Sequence, residues 1–185
     1  QSNETQVSDT ALRTVDIITI EQGVCVFNDA NQLYCSHFKY VLADDWLAQI
    51  KEQGSLEGKA LLLPVRVNVS KQDTEMLAAQ QSWFTLLGFE LLIEKQFVMV
   101  KKLPVCLYLL DVSAAVDALL EGCKAQLESI DKWLAWQVNV IPTRFYASNA
   151  FAAQQTRLQN NAQTIERLRE KAVKIELKSY LAQFN

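Results

Sequence analysis

The run Lys59 to Ser70, KALLLPVRVNVS, constrains this chain more than any other segment. Ala60 to Pro64 is apolar on both faces, and Val65, Val67 and Val69 then alternate with Arg66 and Asn68. A period of two is the mark of a strand with one face buried. Pro64 cannot donate a ladder hydrogen bond, so this strand belongs at a sheet edge or has its end there. Ser70 is a good helix N-cap, with Asp73 three positions on. The helix it opens is predicted to run to about Leu87, with Met76, Leu77, Gln80, Trp83, Phe84 and Leu87 on the 3.6-residue period. Gly88 follows as the residue that ends it. Two strands come next, Phe89 to Glu94 and Gln96 to Lys101, joined tightly. An apolar connection, Leu103 to Leu110, leads to a helix from Val112 to Cys123, opened by Asp111 or Ser113. The order β-α-β-β-loop-α describes a lobe that can close around its own sheet.

The polar loop Gly54 to Gly58 separates this lobe from a hairpin and a helix. Residues 1–10 are polar and are predicted to be disordered, in a tail reaching residue 13. Thr14 to Ile20 is dense in β-branched residues and reads as a strand. Val24 to Phe27 and Leu33 to Cys35 flank Asn28 to Asn31, a hairpin with a four- or five-residue loop. Val41, Leu42, Trp46, Leu47 and Ile50 then recur at helical spacing. Past the lobe, Ser129 opens a helix that carries Trp133, Trp136 and Val140 and stops at Pro142. Ser148 or Asn149 caps another helix, and Asn160-Asn161 interrupts it before Ile165 and Leu168. Val173, Ile175 and Leu177 alternate with charged residues as a last strand, and Leu181 and Phe184 close the chain as a short helix or tail. The fold class is therefore α+β in 185 residues.

Several kinds of chemistry are missing. His37 is the single histidine, which excludes a histidine-rich metal centre. Net charge is −3, so no basic excess favours DNA binding by this segment alone. No stretch of about eighteen apolar residues is present to span a membrane. Cys25, Cys35, Cys106 and Cys123 form no C-x-x-C pair, and their apolar neighbours suit buried, reduced thiols in a cytoplasmic protein. A Cys25–Cys35 bridge across the hairpin is the competing expectation. Glycine-rich phosphate loops and the nucleophile elbow are absent. Adjacent strand residues point oppositely, so Ser36 and His37 make no dyad. Asp44 and Asp45 lie about 100° apart around a helix and read as a solvated face. The start at Gln1 suggests a piece of something longer.

The segment Lys59 to Ser70, the following Leu87-Gly88-Phe89-Glu90, and Phe97 to Val105 together resemble the C-terminal domain of the MutL DNA mismatch repair family. Gly23 to Phe27 with Leu33-Tyr34, Ile130 to Leu134, Ile165 to Leu168 and Leu181 to Phe184 agree with it, so the resemblance covers about residues 14–184. It implies two lobes: a dimerisation lobe made from residues 14–56 and 126–185, and an inserted lobe, 57–125. It implies a homodimer that lets N-terminal ATPase domains, absent from this chain, clamp DNA.

Many members of that family carry an endonuclease motif, D-Q-H-A-x-x-E-x-x-x-x-E, where this chain reads His37 to Asp44. The Asp, His and Glu have no counterparts here, and the later C-P-x-G-R-P motif is missing. The resemblance is thus to the nuclease-free, proteobacterial type, with no catalytic residue, metal or cofactor in this fragment. A sliding-clamp motif, Q-x-x-L-x-P, corresponds to Lys59, Leu62 and Pro64, with lysine where the family has glutamine. A glutamine amide both donates and accepts, whereas lysine only donates, so clamp binding is expected to be weak. Implied partners are a second copy, the mismatch-recognition protein, a nicking endonuclease, a helicase and the sliding clamp, with DNA touched weakly or indirectly. The apolar helix face of Trp133 and Trp136, with Phe151, is the expected dimer contact. Two other readings compete. One is a metal-dependent nicking domain using Asp44, Asp45, Glu52 and Cys35. The other is an unrelated small-molecule-binding α+β domain.

Overall fold

A computed structural model describes residues 15–184, with the side chains of Ser179 and Tyr180 excepted. The expected disordered tail lies outside the described residues. Two antiparallel sheets organise the chain. The first takes β1 (Ile17–Thr19), β2 (Val24–Asp29), β3 (Gln32–His37) and β7 (Val173–Lys174), in the order β1-β2-β3-β7. The second takes β4 (Gly58–Asn68), β5 (Glu90–Ile93) and β6 (Phe97–Pro104), in the order β4-β6-β5. Helices α1 (Lys39–Gln53), α2 (Lys71–Leu86), α3 (Val112–Lys124), α4 (Ile130–Val140), α5 (Asn149–Gln159), α6 (Ala162–Glu170) and α7 (Lys178–Leu181) complete an α+β fold.

The hairpin is tighter than the sequence suggested. β2 and β3 pair up to Asp29 opposite Gln32, leaving a two-residue turn at Ala30-Asn31 with φ of 51° and 61°. Two consecutive positive φ values match the turn whose twist fits a hairpin. Asn28 and Asp29 look like turn residues but continue the strand. This register also removes the disulfide. Cys25 lies opposite Ser36 and Cys35 opposite Val26, so the two thiols are on different faces, and all four cysteines are free.

β4 is an edge strand, as Pro64 requires. Its register on β6 shifts between Ala60 and Val65, so Leu61 to Pro64 leave the ladder. The supposed polar loop after α1 holds a buried residue, Leu56, whose N–H donates to Leu86 O. Gly58 is fixed by a close crossing: a Cβ there would come within 2.1 Å of Gly88 O. Ser70 caps α2 through Asp73 N–H, Asp111 caps α3, and Ser129 and Ser148 cap α4 and α5. β6 continues to Pro104, where a connection was expected from Leu103, and the last strand keeps only Val173–Lys174 of its alternating run.

One apolar cluster runs through both sheets and the helices between them. At its middle Trp133 is fully buried, 5.4 Å edge-on from Phe84 of α2 and 5.2 Å from Trp136. Gly122 of α3 makes room for it, since a Cβ there would meet the indole ring at 2.7 Å.

Candidate functional site

The β1-β2-β3-β7 sheet has two unlike faces, as alternation demands. One is buried: Ile17, Cys25, Phe27 and Ser36 point into the core. Helices α5 and α6 close it, with Gln159 donating to Ile17 O at 2.9 Å and the Ser36 hydroxyl donating to Leu168 O at 2.9 Å. The other face carries a row in register across all four strands: Ile18 opposite Val26, Val26 opposite Cys35, Cys35 opposite Val173. Ile18 is 61% exposed and Val173 71%, while Val26 and Cys35 are half-buried. Ile20, just beyond β1, is also exposed, and half-buried Leu33 and Val24 flank the row. A contiguous exposed apolar patch on an open sheet face marks an interaction surface.

His37 ends β3. Its Nδ1 accepts the Lys39 N–H at 2.9 Å, and its ring stands edge-on to Tyr146 at 5.2 Å. Burial pushes its pKa below 6.5; the Gln22 backbone opposes this and the Lys39 ammonium adds to it. The folded state thus binds the proton less readily than the unfolded chain. His37 contributes stability that is full above the unfolded pKa and is lost as pH falls below about 6.5. Thermal unfolding between pH 7.5 and 5.5 should show this loss, and His37→Gln should flatten it. Equal slopes for the two proteins would show that the ring titrates alike in both states.

The residues singled out from sequence fall in different places. Trp133 and Phe151 are enclosed by their own protomer, at 0% and 1% exposure, and present no surface to a partner in this fold. Phe151 packs on Phe38, Phe145 and Tyr146. Trp136 is half-buried, and its indole donates to Ala118 O at 3.1 Å. The helical spacing that suggested a dimer contact belongs to the core.

Lys59, Leu62 and Pro64 lie along β4. The Lys59 ammonium sits 4.0 Å over the Tyr108 ring. Leu62 is 99% exposed and Leu63 77%, because the bulge lifts them off the sheet.

Asp44 and Asp45 are not a bare solvated face. Asp44 pairs with Arg167 at 2.7 Å. Asp45, with a side chain only 12% exposed, accepts from Gln49, Gln154 and Arg157. Both carboxylates therefore fasten α1 to α5 and α6. Among the described residues no group of three or more His, Cys, Asp or Glu side chains could hold a metal, so Asp44, Asp45, Glu52 and Cys35 are not brought together as ligands.

A cavity of about 210 Å³ lies where α1, α4 and α5 meet the end of β6. Trp46, Phe145, Cys106 and Gln137 are among its walls. Gln137 donates to the Cys106 sulfur, whose pKa burial pushes up to about 12. That pairing suits a structural polar contact.

The sheet-face residues Ile18, Val26 and Val173 were not singled out from sequence. A signal existed: adjacent Ile17 and Ile18 put apolar side chains on both faces of one short strand. An antiparallel sheet with one face in water ordinarily shows polar residues on that face, so the apolar Ile18 departs from the pattern.

Residues 41–143 match the MutL C terminal dimerisation domain family. The chain is 73% identical over 175 residues to the DNA mismatch repair protein MutL of Pseudoalteromonas translucida (strain TAC 125). That match takes in 95% of this chain and 28% of the relative, so the chain spans little more than a quarter of the relative's length. No helix among the described residues is long and apolar enough to cross a membrane.

Proposed function

Since this chain belongs to the MutL C-terminal dimerisation-domain family, we propose that it joins two protomers through the open face of the β1-β2-β3-β7 sheet. The observation that carries this reading is the row Ile18, Val26, Cys35 and Val173. A two-fold dimer needs a self-complementary patch, and an apolar sheet face laid on its own copy supplies one. Sheets stacked this way sit about 10 Å apart with side chains interdigitated. Exposed isoleucine and valine on this face then become core, where each fully buried side chain contributes about 1.5–3 kcal/mol.

Around that seam the chain works without chemistry of its own. It has no cofactor, acts in the cytoplasm, and holds two copies so that N-terminal ATPase domains of the longer protein can close on DNA. Residues 14–56 and 126–185 make the dimerisation lobe, and residues 57–125 the inserted lobe. The mismatch-recognition protein, nicking endonuclease, helicase and sliding clamp are its partners in repair. The exposed Leu62 beside Pro64 supports a clamp contact at Lys59, Leu62 and Pro64, weakened by the lysine.

Cys35 makes the seam testable. Cys25, Cys106 and Cys123 are buried, and burial pushes their thiols up to about 12, 12 and 11, so they stay protonated and slow to react. Cys35 alone is half-exposed. Iodoacetamide should modify Cys35 rapidly in dilute protein and slowly at concentrations where sedimentation shows a dimer. A dimer whose Cys35 reacts at the dilute rate would move the seam elsewhere, and a monomer at every micromolar concentration would end the reading.

A further inference from the structure

We propose that the open face of the β4-β6-β5 sheet is a second docking surface, built for an acidic, apolar protein segment and anchored by Arg66. It is independent of the dimer seam, which lies on the other sheet.

The face follows from the register. Arg66 lies opposite Met99, Met99 opposite Leu92, and Asn68 opposite Phe97. The alternate residues Val67, Leu91, Val98 and Val100 are buried on the side of the core. Phe97, Met99 and Leu92 therefore point away from it; Leu92 is 46% exposed and the other two are half-buried.

Arg66 is already held in place. Its guanidinium stacks 4.0 Å over the Phe97 ring, and its Nε donates to Asn68 Oδ1 at 3.1 Å. It has no carboxylate partner among the described residues. The neighbouring lysines differ, since Lys101 and Lys102 both turn to Glu90. Arg66 is thus an ordered cation on this face with no carboxylate of its own. A fixed guanidinium loses little side-chain entropy when a ligand arrives, and its fork matches a carboxylate. Arginine, aromatic residues and methionine are the types enriched in interface cores.

The occupant these features fit is a segment with an Asp or Glu beside an aliphatic or aromatic side chain. The carboxylate takes the free N–H groups of Arg66, and the apolar side chain lies on Met99 and Leu92. Nucleic acid fits less well. A phosphate backbone needs several free cations and a bare aromatic face for its bases. Here the two lysines share the single carboxylate of Glu90, and Arg66 covers Phe97.

The probe is a random displayed-peptide library selected on the intact chain and, in parallel, on Arg66→Gln. Peptides enriched on the intact chain should pair an acidic residue with an apolar one. The best should shift the amide resonances of Arg66, Leu92, Phe97 and Met99. Arg66→Gln should weaken it about tenfold or more, as loss of a charged hydrogen-bond pair does, with Arg66→Lys between. If Arg66→Gln alters the free spectrum broadly, Met99→Glu replaces it, placing a repelling charge at a half-buried position of the open face. The proposal fails if no peptide is enriched, if enriched peptides lack acidic residues, or if shifts map elsewhere. Unchanged affinity in the variant overturns it too, as does an oligothymidylate strand that shifts the same resonances and displaces the peptide.

Discussion

Trp133→Ala should lower the unfolding free energy by about 3–5 kcal/mol, the usual cost of truncating a fully buried tryptophan. The ring is completely buried between Phe84, Trp136 and the Cα of Gly122. Removing it leaves a cavity where α2, α3 and α4 converge, and the backbone at Gly122 offers no side chain to fill it. The two edge-to-face ring contacts disappear as well, each worth about 0.5–1.5 kcal/mol beyond area burial. One contribution runs the other way, because the buried indole N–H of Trp133 has no hydrogen-bond partner among the described residues and alanine relieves it. Urea unfolding followed by circular dichroism gives the number. A loss below about 1 kcal/mol would mean that the three helices close over the gap and need no brace.

Val26→Asp should abolish the dimer and spare the protomer. Val26 lies between Ile18 and Cys35 in the exposed row and is half-buried in the protomer, so water can reach an aspartate there. In the two-fold seam the same substitution buries a carboxylate from each protomer in an apolar layer. An uncompensated buried charge costs about 3–5 kcal/mol, so the two together raise the dissociation constant by at least about a thousandfold. Sedimentation should show monomer at concentrations where the parent chain is dimeric. Far-ultraviolet dichroism and the thermal midpoint show whether the protomer stays folded. A folded dimer carrying aspartate would place the seam away from this face.

Local order was legible in the sequence because it rests on short-range chemistry. Ser70 and Ser129 cap the helices they were expected to cap, and of the two candidates for each of the others Asp111 and Ser148 do so. Pro64 lies on an edge strand, and Gly88 follows α2 with a positive φ. What escaped was decided at long range. Trp133 and Trp136 share a helix stripe that periodicity alone could assign to a core or to an interface, and only the fit of Phe84 and Gly122 settles the position of Trp133. Asp45 looked solvated because Arg157 and Gln154, which engage it, come more than a hundred residues later. Ile18 gained importance from register, which sets which face each strand residue occupies and depends on partners distant in sequence. The resemblance to MutL proteins was readable from diffuse strand and helix patterns, and those patterns say little about which surface meets the second copy.

The displaced stretch Leu61 to Pro64 also bears on aggregation. A long, straight edge strand recruits further chains into a growing sheet, since its unpaired N–H and C=O groups form a template. β4 would be such an edge over all of Gly58–Asn68. The bulge divides it into two short pairing runs, Gly58–Ala60 and Val65–Asn68, and Pro64 removes a donor between them. Neither run offers an incoming strand a continuous ladder. The kink that leaves Leu62 in water therefore also guards this edge against filament growth.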